Sequence, residues 1–417
     1  MTKKKRVLMI AYHFPPVRES SGIQRTLKFC TYLREYGWEP IVLTISPKAY
    51  VTTSPDQVKE IPENVIVERA FGLDTKRHLS IAGKHFRWMA QPDRWVSWWP
   101  GAVWTGMKMI QRYSPSAIMS TFPIATAHLI GLSLCKRSGL PWVADFRDSM
   151  TEPDYPRDPM TWKVQRKLEQ EVVHHCTRAV FTTEPSRQMY AERYPDIPES
   201  RWSVIENGFD EENFRDAEAQ LESNALGEPG QITLVHSGVL YPQERDPRPF
   251  FAALGKLKQS GDIDRNGLQI ILRATGNDDH YRPMIAALDL DDIVRLEPVV
   301  PYRDALQEML RADGLLLFQG SVCNHQIPAK IYEYYRAGRP ILALADPAGI
   351  TAGMLRKADV PDIVDMADAE KIADTMVRML DALRKGRRQG VAPAIAANNS
   401  RRSRSAELAE LLNKLIT

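Results

Sequence analysis

Short runs of apolar and β-branched residues alternate with longer helical patterns along almost the entire chain. Such alternation favours parallel sheets covered by helices on both faces, because each strand then returns through a helix. The pattern occurs in both halves of the sequence, which predicts two Rossmann-like α/β domains. The candidate strands are RVLMIAYH, EPIVLTI, NVIVERA, SAIMSTF, PWVADF, RAVFTT and WSVIEN in the first half, and ITLVHSG, LQIILRATG, IVRLEPVV, GLLLFQG and RPILALA in the second.

The length of 417 residues also exceeds what one hydrophobic core usually supports. Residues 216–231 are acidic, small and Gly/Pro-containing, as expected of a linker or surface excursion. Helical periodicity returns in SAELAELLNKLI after a polar, basic stretch, which indicates a separate final helix. We therefore predict domains at residues 1–207 and 208–400, followed by a helix at 401–417.

Composition excludes several classes of protein. Hydrophobic residues make up 43% and charged residues 26%, values typical of globular proteins. The net charge of +3 is too small to indicate a nucleic acid as the main partner. No run of about 18 apolar residues is present, so no spanning helix is expected, and the apolar start of the chain is interpreted as a strand. These features predict a cytoplasmic protein.

The cysteines are too scattered to suggest a metal site or a redox motif. We expect reduced and mostly buried thiols, and no bound metal or other cofactor. The residues concerned are Cys30, Cys135, Cys176 and Cys323.

Ligands of parallel α/β sheets bind beyond the carboxyl ends of the strands, so the cleft between the two domains is the expected site. The dinucleotide-binding motif GxGxxG and the P-loop motif GxxxxGK[ST] are both missing from the sequence. The two usual glycine-rich loops that bind phosphate are therefore absent. Another element must hold the ligand.

The segment IPAKIYEYYRAGRPILAL supplies such an element. Lys330 and Glu333 are three residues apart, on one face of a helix that begins after Pro328 and ends at Gly338. A lysine at a helix start can neutralise a diphosphate, and a carboxylate can accept hydrogen bonds from ribose hydroxyls. The alternative interpretation is an exposed ion pair of the kind common on helices.

This segment resembles the signature of retaining glycosyltransferases of family 4, which have the GT-B architecture of two Rossmann-like domains. Other segments are similar in the same order: AYHFPPVRESSGIQR, LREYGWEPIVLT, TFPIATAHLIG, PWVADFRD, VIENGFD and VHSGVLYPQERDP. The resemblance implies a nucleoside-diphosphate sugar donor in the second domain, a glycan or lipid-linked acceptor on the first, and a last helix that crosses back to the first domain. It also implies a place in bacterial exopolysaccharide, capsule or lipopolysaccharide assembly.

The resemblance implies roles for those residues of the second domain that match functional positions of the family. Glu333 matches the carboxylate that holds the donor ribose, and Arg245 and Lys330 match the cations that bind the diphosphate. Gly238 lies at a strand-to-loop turn before them. Two fixed cations can stabilise the charge of the leaving diphosphate, so no metal is required. Further donor contacts are implied for Pro301 and Tyr302.

The alternative is a metal-dependent transferase, which would present a DxD motif at the end of a strand. The sequence DLDD at residues 289–292 contains a DxD string, but it lies at a polar helix end.

In the first domain, Ser21 and Gly22 follow the first strand, where glycine permits close approach of the donor; an ordinary flexible turn is the alternative. His128 matches a histidine that reaches the reacting sugar in similar enzymes, although a core histidine is the alternative. Arg147 and Asp148 end a buried strand, and we expect them to contact the acceptor or the sugar.

Many members of the family have two glutamates separated by seven residues. Glu333 matches the second of them, and the position of the first is occupied here by His325. We still expect His325 to lie in the donor site and the chain to be active, but the identity of the donor sugar becomes less inferable.

Residues 84–112 are rich in tryptophan and basic residues, a combination that suits a membrane interface. This segment is expected to bring the protein to the inner face of the membrane and to a lipid-linked acceptor. The alternative is that its aromatics fill the core of the first domain or line the acceptor groove. The tryptophans are Trp88, Trp95, Trp98, Trp99 and Trp104.

Two other functions are compatible with the same fold. A sugar-nucleotide epimerase or a phosphorylase would turn over without an acceptor alcohol. A catalytically silent relative would bind a nucleotide or glycan without releasing sugar.

Overall fold

The computed structural model describes residues 5–17, 22–80, 84–221, 226–388 and 390–416. The chain forms two compact units. The first unit comprises Met1–Asn207 together with Arg401–Thr417, and the second unit comprises Gly208–Ser400.

The first unit is built on a seven-stranded sheet in which every pairing is parallel, in the order β3-β2-β1-β4-β5-β6-β7. Its strands are β1 (Lys5–Ile10), β2 (Trp38–Ile45), β3 (Ile66–Ala70), β4 (Ala117–Thr121), β5 (Trp142–Arg147), β6 (Arg178–Phe181) and β7 (Trp202–Val204). Its helices up to the end of this sheet are α1 (Ile23–Tyr32), α2 (Pro55–Val58), α3 (Thr75–His78), α4 (Trp98–Tyr113), α5 (Ala125–Ser138), α6 (Pro159–His175) and α7 (Glu184–Arg193).

The central strands of this sheet are covered on both faces. Every residue of β4 is buried, and in β5 burial extends from Trp142 to Phe146. Strands of this kind are apolar almost throughout, because neither face meets water. This is why continuous apolar runs, and not alternating ones, mark these strands in the sequence.

The second unit repeats the design with a six-stranded parallel sheet in the order β10-β9-β8-β11-β12-β13. Its strands are β8 (Ile232–Ser237), β9 (Leu268–Arg273), β10 (Val294–Glu297), β11 (Gly314–Gln319), β12 (Ile341–Ala345) and β13 (Asp362–Val364). Its helices are α8 (Glu211–Ala219), α9 (Arg248–Ser260), α10 (Asp278–Ala287), α11 (Tyr302–Arg311), α12 (Lys330–Ala337), α13 (Ile350–Lys357), α14 (Ala369–Arg384) and α15 (Pro393–Ala397).

The last helix, α16 (Arg401–Ile416), belongs to the first unit. Leu408 and Leu412 are buried in the core of that unit. The Asn413 side chain accepts hydrogen bonds from Lys5 Nζ at 2.8 Å and from Trp38 Nε1 at 3.1 Å. The helix therefore packs into the core of the first unit, and hydrogen bonds join its end to the first residues of β1 and β2.

The predicted fold class is confirmed: the protein has two parallel α/β sheets. The order of strands reverses between β1 and β4 in the first sheet and between β8 and β11 in the second. Open sheets bind ligands beyond the carboxyl ends of the strands at such switch points. Strand β13 escaped prediction, because it is three residues long and follows a proline.

Candidate functional site

Helix α12 follows β11, one of the two strands at the switch point of the second unit. It begins at Lys330, and Gly338 ends it in a left-handed conformation with φ of 65°. Tyr332, Tyr334 and Tyr335 are buried and anchor the helix, whereas Lys330 and Glu333 are partly exposed. The i, i+3 spacing thus presents a cation and a carboxylate on the same side, as predicted.

Lys330 approaches the end of β8. Its Nζ lies 3.2 Å from His236 Nε2. A Cβ atom added to Gly238 would lie 2.8 Å from the same Nζ, and Gly238 has a φ of 124°. The backbone conformation therefore favours glycine at this turn, and a side chain there would displace the Lys330 amine.

His236 belongs to this site, although we did not predict it. The imidazole is fully buried at the end of β8, and its Nδ1 lies 2.8 Å from the Leu316 carbonyl oxygen. Burial, followed by the Lys330 charge, holds the pKa of His236 well below its usual range, so the ring is neutral. The sequence signal was a histidine inside an otherwise apolar strand, in ITLVHSG.

Arg245 supplies a second cation from the loop between β8 and α9. Its Nη1 donates a hydrogen bond to the Val239 carbonyl at 3.3 Å, and its guanidinium lies 5.6 Å from the centre of the Tyr241 ring. Its Nε is buried and has no hydrogen-bond partner among the described residues. The structure therefore leaves part of the hydrogen-bonding capacity of this guanidinium unused.

The charges at this switch point favour an anion. Burial, and then the charge of Arg245, hold the pKa of Lys330 well below its usual range, while Glu333 opposes this shift. Within the described residues, neither Lys330 nor Arg245 forms an ion pair with a carboxylate. An anionic ligand would relieve the repulsion between the two cations, and diphosphate is a chemically suitable group.

Glu333 has a defined partner on α11, which precedes β11 in the chain. The Tyr302 hydroxyl donates a hydrogen bond to Glu333 Oε1 at 2.6 Å. Tyr302 is the first residue of α11 and follows the exposed Pro301. The structure thus brings Tyr302 to the carboxylate from a distant part of the sequence. Their contact with a donor stays a prediction.

His325 lies in the loop between β11 and α12 and is partly buried. Its Nε2 is 3.3 Å from the amide nitrogen of Gln326. Its predicted role beside the donor sugar stays a prediction.

In the first unit, Arg147 lies at the carboxyl end of β5, next to the loop that follows β1. Its Nη1 donates a long hydrogen bond, 3.4 Å, to the Gly22 carbonyl. Arg147 has a φ of 56° at an irregularity of the strand, a left-handed conformation that is unusual for arginine. Asp148 follows it in the chain. Ser21 lies outside the described residues.

Burial lowers the pKa of Arg147, and the charges of Arg25 and Arg401 lower it further, against the effect of Asp148 and Asp145. Arg25 and Asp145 form a buried ion pair at 2.9 Å. This pair was missed in the sequence, where Asp145 is the single charge inside the run PWVADF. Contact of Arg147 and Asp148 with an acceptor stays a prediction.

His128 lies within the core of the first unit. It is fully buried against Trp142 and Phe146, and its Nδ1 is 2.8 Å from Ser120 Oγ. Burial lowers the pKa of His128 to about 3. Its Nε2 has no partner among the described residues. This environment resembles that of a core histidine, and its predicted reach to a reacting sugar stays a prediction.

The tryptophan-rich segment divides between core and surface. Trp98 is fully buried, Trp95 is partly buried against Tyr12, and Trp99 Nε1 donates a hydrogen bond to Ser133 Oγ at 2.8 Å. Packing therefore accounts for Trp98 and Trp95, whereas Trp99 is 36% exposed despite its hydrogen bond. Trp88 and Trp104 are more exposed, by 67% and 63%.

The DLDD segment is held by a lysine. Lys258 Nζ lies 2.9 Å from Asp289 Oδ2 and 2.8 Å from Asp292 Oδ1. Across the described residues, no group of three or more His, Cys, Asp or Glu side chains is arranged to hold a metal ion. In the same part of the chain, no helix is both long and apolar enough to span a membrane.

Comparison with known proteins places this geometry in context. Residues 23–213 match the family model described as Glycosyltransferase Family 4. No curated protein matches the sequence.

Solved structures match almost the whole chain. A glycosyltransferase from Rickettsia africae is 14% identical with a TM-score of 0.66, and the match covers 99% of both chains. HepE from Anabaena, in complex with UDP and glucose, is 14% identical over 98% of this chain and 100% of that chain, with a TM-score of 0.66. An α,α-trehalose-phosphate synthase (UDP-forming) from Burkholderia xenovorans is 12% identical, with a TM-score of 0.67, and the match covers 98% of this chain and 100% of that chain. The chain therefore has the GT-B fold of glycosyltransferases, and its residues 23–213 match glycosyltransferase family 4.

Proposed function

We propose that the protein is a glycosyltransferase that takes a sugar from a nucleoside-diphosphate donor bound by the second unit. One observation carries this proposal: Lys330 and Arg245 lie at the β8/β11 switch point without carboxylate ion pairs among the described residues, beside the turn at Gly238. Two cations and an open glycine turn suit a diphosphate. Glu333, oriented by Tyr302, is then suited to the ribose hydroxyls.

In the proposed reaction, the bond between the anomeric carbon and the diphosphate oxygen breaks, and the electron pair leaves with the diphosphate. Lys330 and Arg245 stabilise the negative charge that develops on this leaving group, so no metal is needed. The acceptor oxygen forms the new bond, and its proton passes to a donor phosphate oxygen. We propose that the configuration of the sugar is retained.

The first unit is the proposed acceptor side, with Gly22, Arg147 and Asp148 as contacts. We propose a glycan or lipid-linked acceptor and a role in cell-surface polysaccharide assembly in the cytoplasm. UDP is the first nucleotide to test, because HepE is described in complex with UDP and with UDP-glucose, and the trehalose-phosphate synthase is described as UDP-forming.

We also propose that the first unit contacts the inner face of the membrane through its exposed aromatics. Phe86 and Trp88 stack with their ring centres 6.4 Å apart, and both are exposed. Trp104 is exposed, and the exposed Lys108 places its Nζ 3.4 Å from the centre of that ring. Aromatic rings beside lysine ammonium groups suit the headgroup region of an anionic bilayer.

A thermal-shift screen against UDP, GDP, dTDP, ADP, CMP and NAD tests the proposed donor class. At about 100 times Kd, a ligand stabilises the native state by about 2.7 kcal/mol. We expect one nucleoside diphosphate to raise the melting temperature selectively. A shift with NAD alone, or with none of the six, would contradict the proposal.

Two rival functions predict different turnover once a nucleotide is identified. An epimerase or phosphorylase of this fold would consume the nucleotide sugar without an acceptor alcohol. A silent relative would bind the donor and release no sugar. Product analysis with and without acceptor separates these outcomes from glycosyl transfer.

A further inference from the structure

We propose that His236 is a positioning residue of the donor site, which holds Lys330 Nζ in place through its Nε2. This inference rests on the proposed function, because it assigns to Lys330 the diphosphate of the donor. It adds a residue from the core of the second unit to a site otherwise formed by helix α12 and the loop that follows β8.

The position of His236 follows from the separation of two strands. Strands β8 and β11 pair at Leu234 with Gly314 and at Val235 with Leu315, and their pairing ends there. The next carbonyl of β11, that of Leu316, is bonded instead by the His236 side chain. The imidazole thus bridges the two strands at the point where they diverge.

These contacts fix the tautomer of the ring. A carbonyl oxygen only accepts hydrogen bonds, so the neutral imidazole must carry its proton on Nδ1 to donate to Leu316. Nε2 then has a free lone pair, and Lys330 Nζ lies 3.2 Å from it. Because Nε2 carries no proton in this tautomer, it can only accept, so Lys330 donates this hydrogen bond whether its Nζ is an ammonium or an amine.

The ring itself has little freedom. It is fully buried, and Phe318 packs edge-on against it with the ring centres 5.0 Å apart. A lysine side chain, by contrast, loses much conformational entropy when it is fixed. The His236 acceptor reduces that loss before the ligand arrives, which is the effect of preorganisation on affinity. It also holds Lys330 near Arg245 and Gly238, at the turn where the diphosphate is proposed to lie.

Three substitutions separate this role from a purely structural one. His236→Phe removes both ring nitrogens. His236→Asn keeps a donor near the position of Nδ1, and with it the bond to Leu316, but lacks the reach of Nε2. His236→Gln places an amide oxygen near the position of Nε2 and restores an acceptor for Lys330.

The measurement is the Kd of UDP, or of the nucleoside diphosphate selected by thermal shift, for each full-length variant, together with its melting temperature. We expect His236→Phe and His236→Asn to weaken binding about tenfold, as for loss of a hydrogen bond to a charged group. His236→Gln should bind within about threefold of the native protein. Affinity that follows melting temperature across the three variants would overturn the proposal.

A double-mutant cycle with Lys330→Gln provides the second test. If His236 acts through Lys330, His236→Phe should have no further effect once Lys330 is replaced. Additive losses would overturn the positioning role. If His236→Phe does not fold, the cycle is run with His236→Asn.

The outcomes distinguish the two proposals. Loss of affinity in Lys330→Gln without loss in the His236 variants would overturn the positioning role and leave the donor site intact. Native affinity in Lys330→Gln, or no binding of any nucleoside diphosphate by the native protein, would overturn both.

Discussion

The Tyr302 hydroxyl and the Glu333 carboxylate, which are brought together from separate helices, share a hydrogen bond of 2.6 Å. The bond fixes one oxygen of a carboxylate that remains partly exposed. Glu333 is therefore oriented before any ligand binds.

Glu333→Ala is expected to weaken nucleotide binding by about tenfold to a hundredfold and to leave the melting temperature nearly unchanged. The carboxylate is proposed to accept hydrogen bonds from the ribose, and such bonds to charged groups contribute about 1.5–3 kcal/mol. Tyr302→Phe should weaken binding less, because the carboxylate stays and loses only its orienting partner. Isothermal titration and thermal unfolding of both variants provide the check. A stable Glu333→Ala protein with native affinity would remove Glu333 from the site.

Gly238→Ala is expected to weaken nucleotide binding at least tenfold. The new Cβ would lie 2.8 Å from Lys330 Nζ and would displace the ammonium. Gly338→Ala is the matched control, because Gly338 also has a positive φ but has no atom within 4 Å of a built Cβ. Gly338→Ala should lose about 1–2 kcal/mol of stability from the left-handed backbone, and Gly238→Ala should lose at least as much, because its φ of 124° is farther from the left-handed helical value. Equal losses of affinity in the two would show that strain, and not the position of Lys330, decides binding.

Binding of the diphosphate should take up a proton at Lys330. In the free protein, burial and the charge of Arg245 hold the pKa of Lys330 well below its usual range, against the effect of Glu333. A bound diphosphate stabilises the ammonium and raises this pKa. Between the two pKa values the complex holds more protons than the free protein, so affinity should fall as pH rises through that window. Below the lower pKa the ammonium is present in both states, and affinity should be independent of its titration.

Calorimetric titrations in Hepes and Tris, whose ionisation heats differ, measure this proton uptake. Lys330→Gln should remove it, and His236, which is neutral and buried, should not contribute. Equal proton uptake by the native protein and Lys330→Gln would assign the effect to another group.

The membrane proposal predicts that Trp88→Ser/Trp104→Ser weakens association with anionic vesicles and leaves thermal stability nearly unchanged, because both side chains are largely exposed. Trp98→Ser is the contrasting variant. Its side chain is fully buried, so it should lose several kcal/mol of stability. Sedimentation with phosphatidylglycerol vesicles measures the association. Unchanged sedimentation of the double variant would contradict a membrane role for these tryptophans.

The fold was largely predictable because its signals are local. A strand buried on both faces needs a continuous apolar run, and the sequence around β4 and β5 contains one. The i, i+3 spacing of Lys330 and Glu333 is likewise a property of one helix. Strand β13 was missed because three residues after Pro361 carry too little signal.

The partners of the site residues depend on contacts between distant segments. His236 meets Lys330 across 94 positions, and Arg25 meets Asp145 across 120. A charged or imidazole side chain inside an apolar strand was the available sign, because such groups are costly to bury without a partner. The partner itself could not be identified from one sequence. The tryptophans of residues 84–112 are a similar case, because the composition of the segment does not show which of them face the core.

The central claim is that Lys330 binds the diphosphate of the donor. The most direct test is calorimetric titration of the nucleoside diphosphate selected by thermal shift into the native protein, Lys330→Gln and the control Lys371→Gln. Lys371 lies on α14 of the same unit and is paired with Asp368 at 2.8 Å. We predict that Lys330→Gln binds at least tenfold more weakly than the native protein, while Lys371→Gln binds equally well. Native affinity in a folded Lys330→Gln protein would contradict the account.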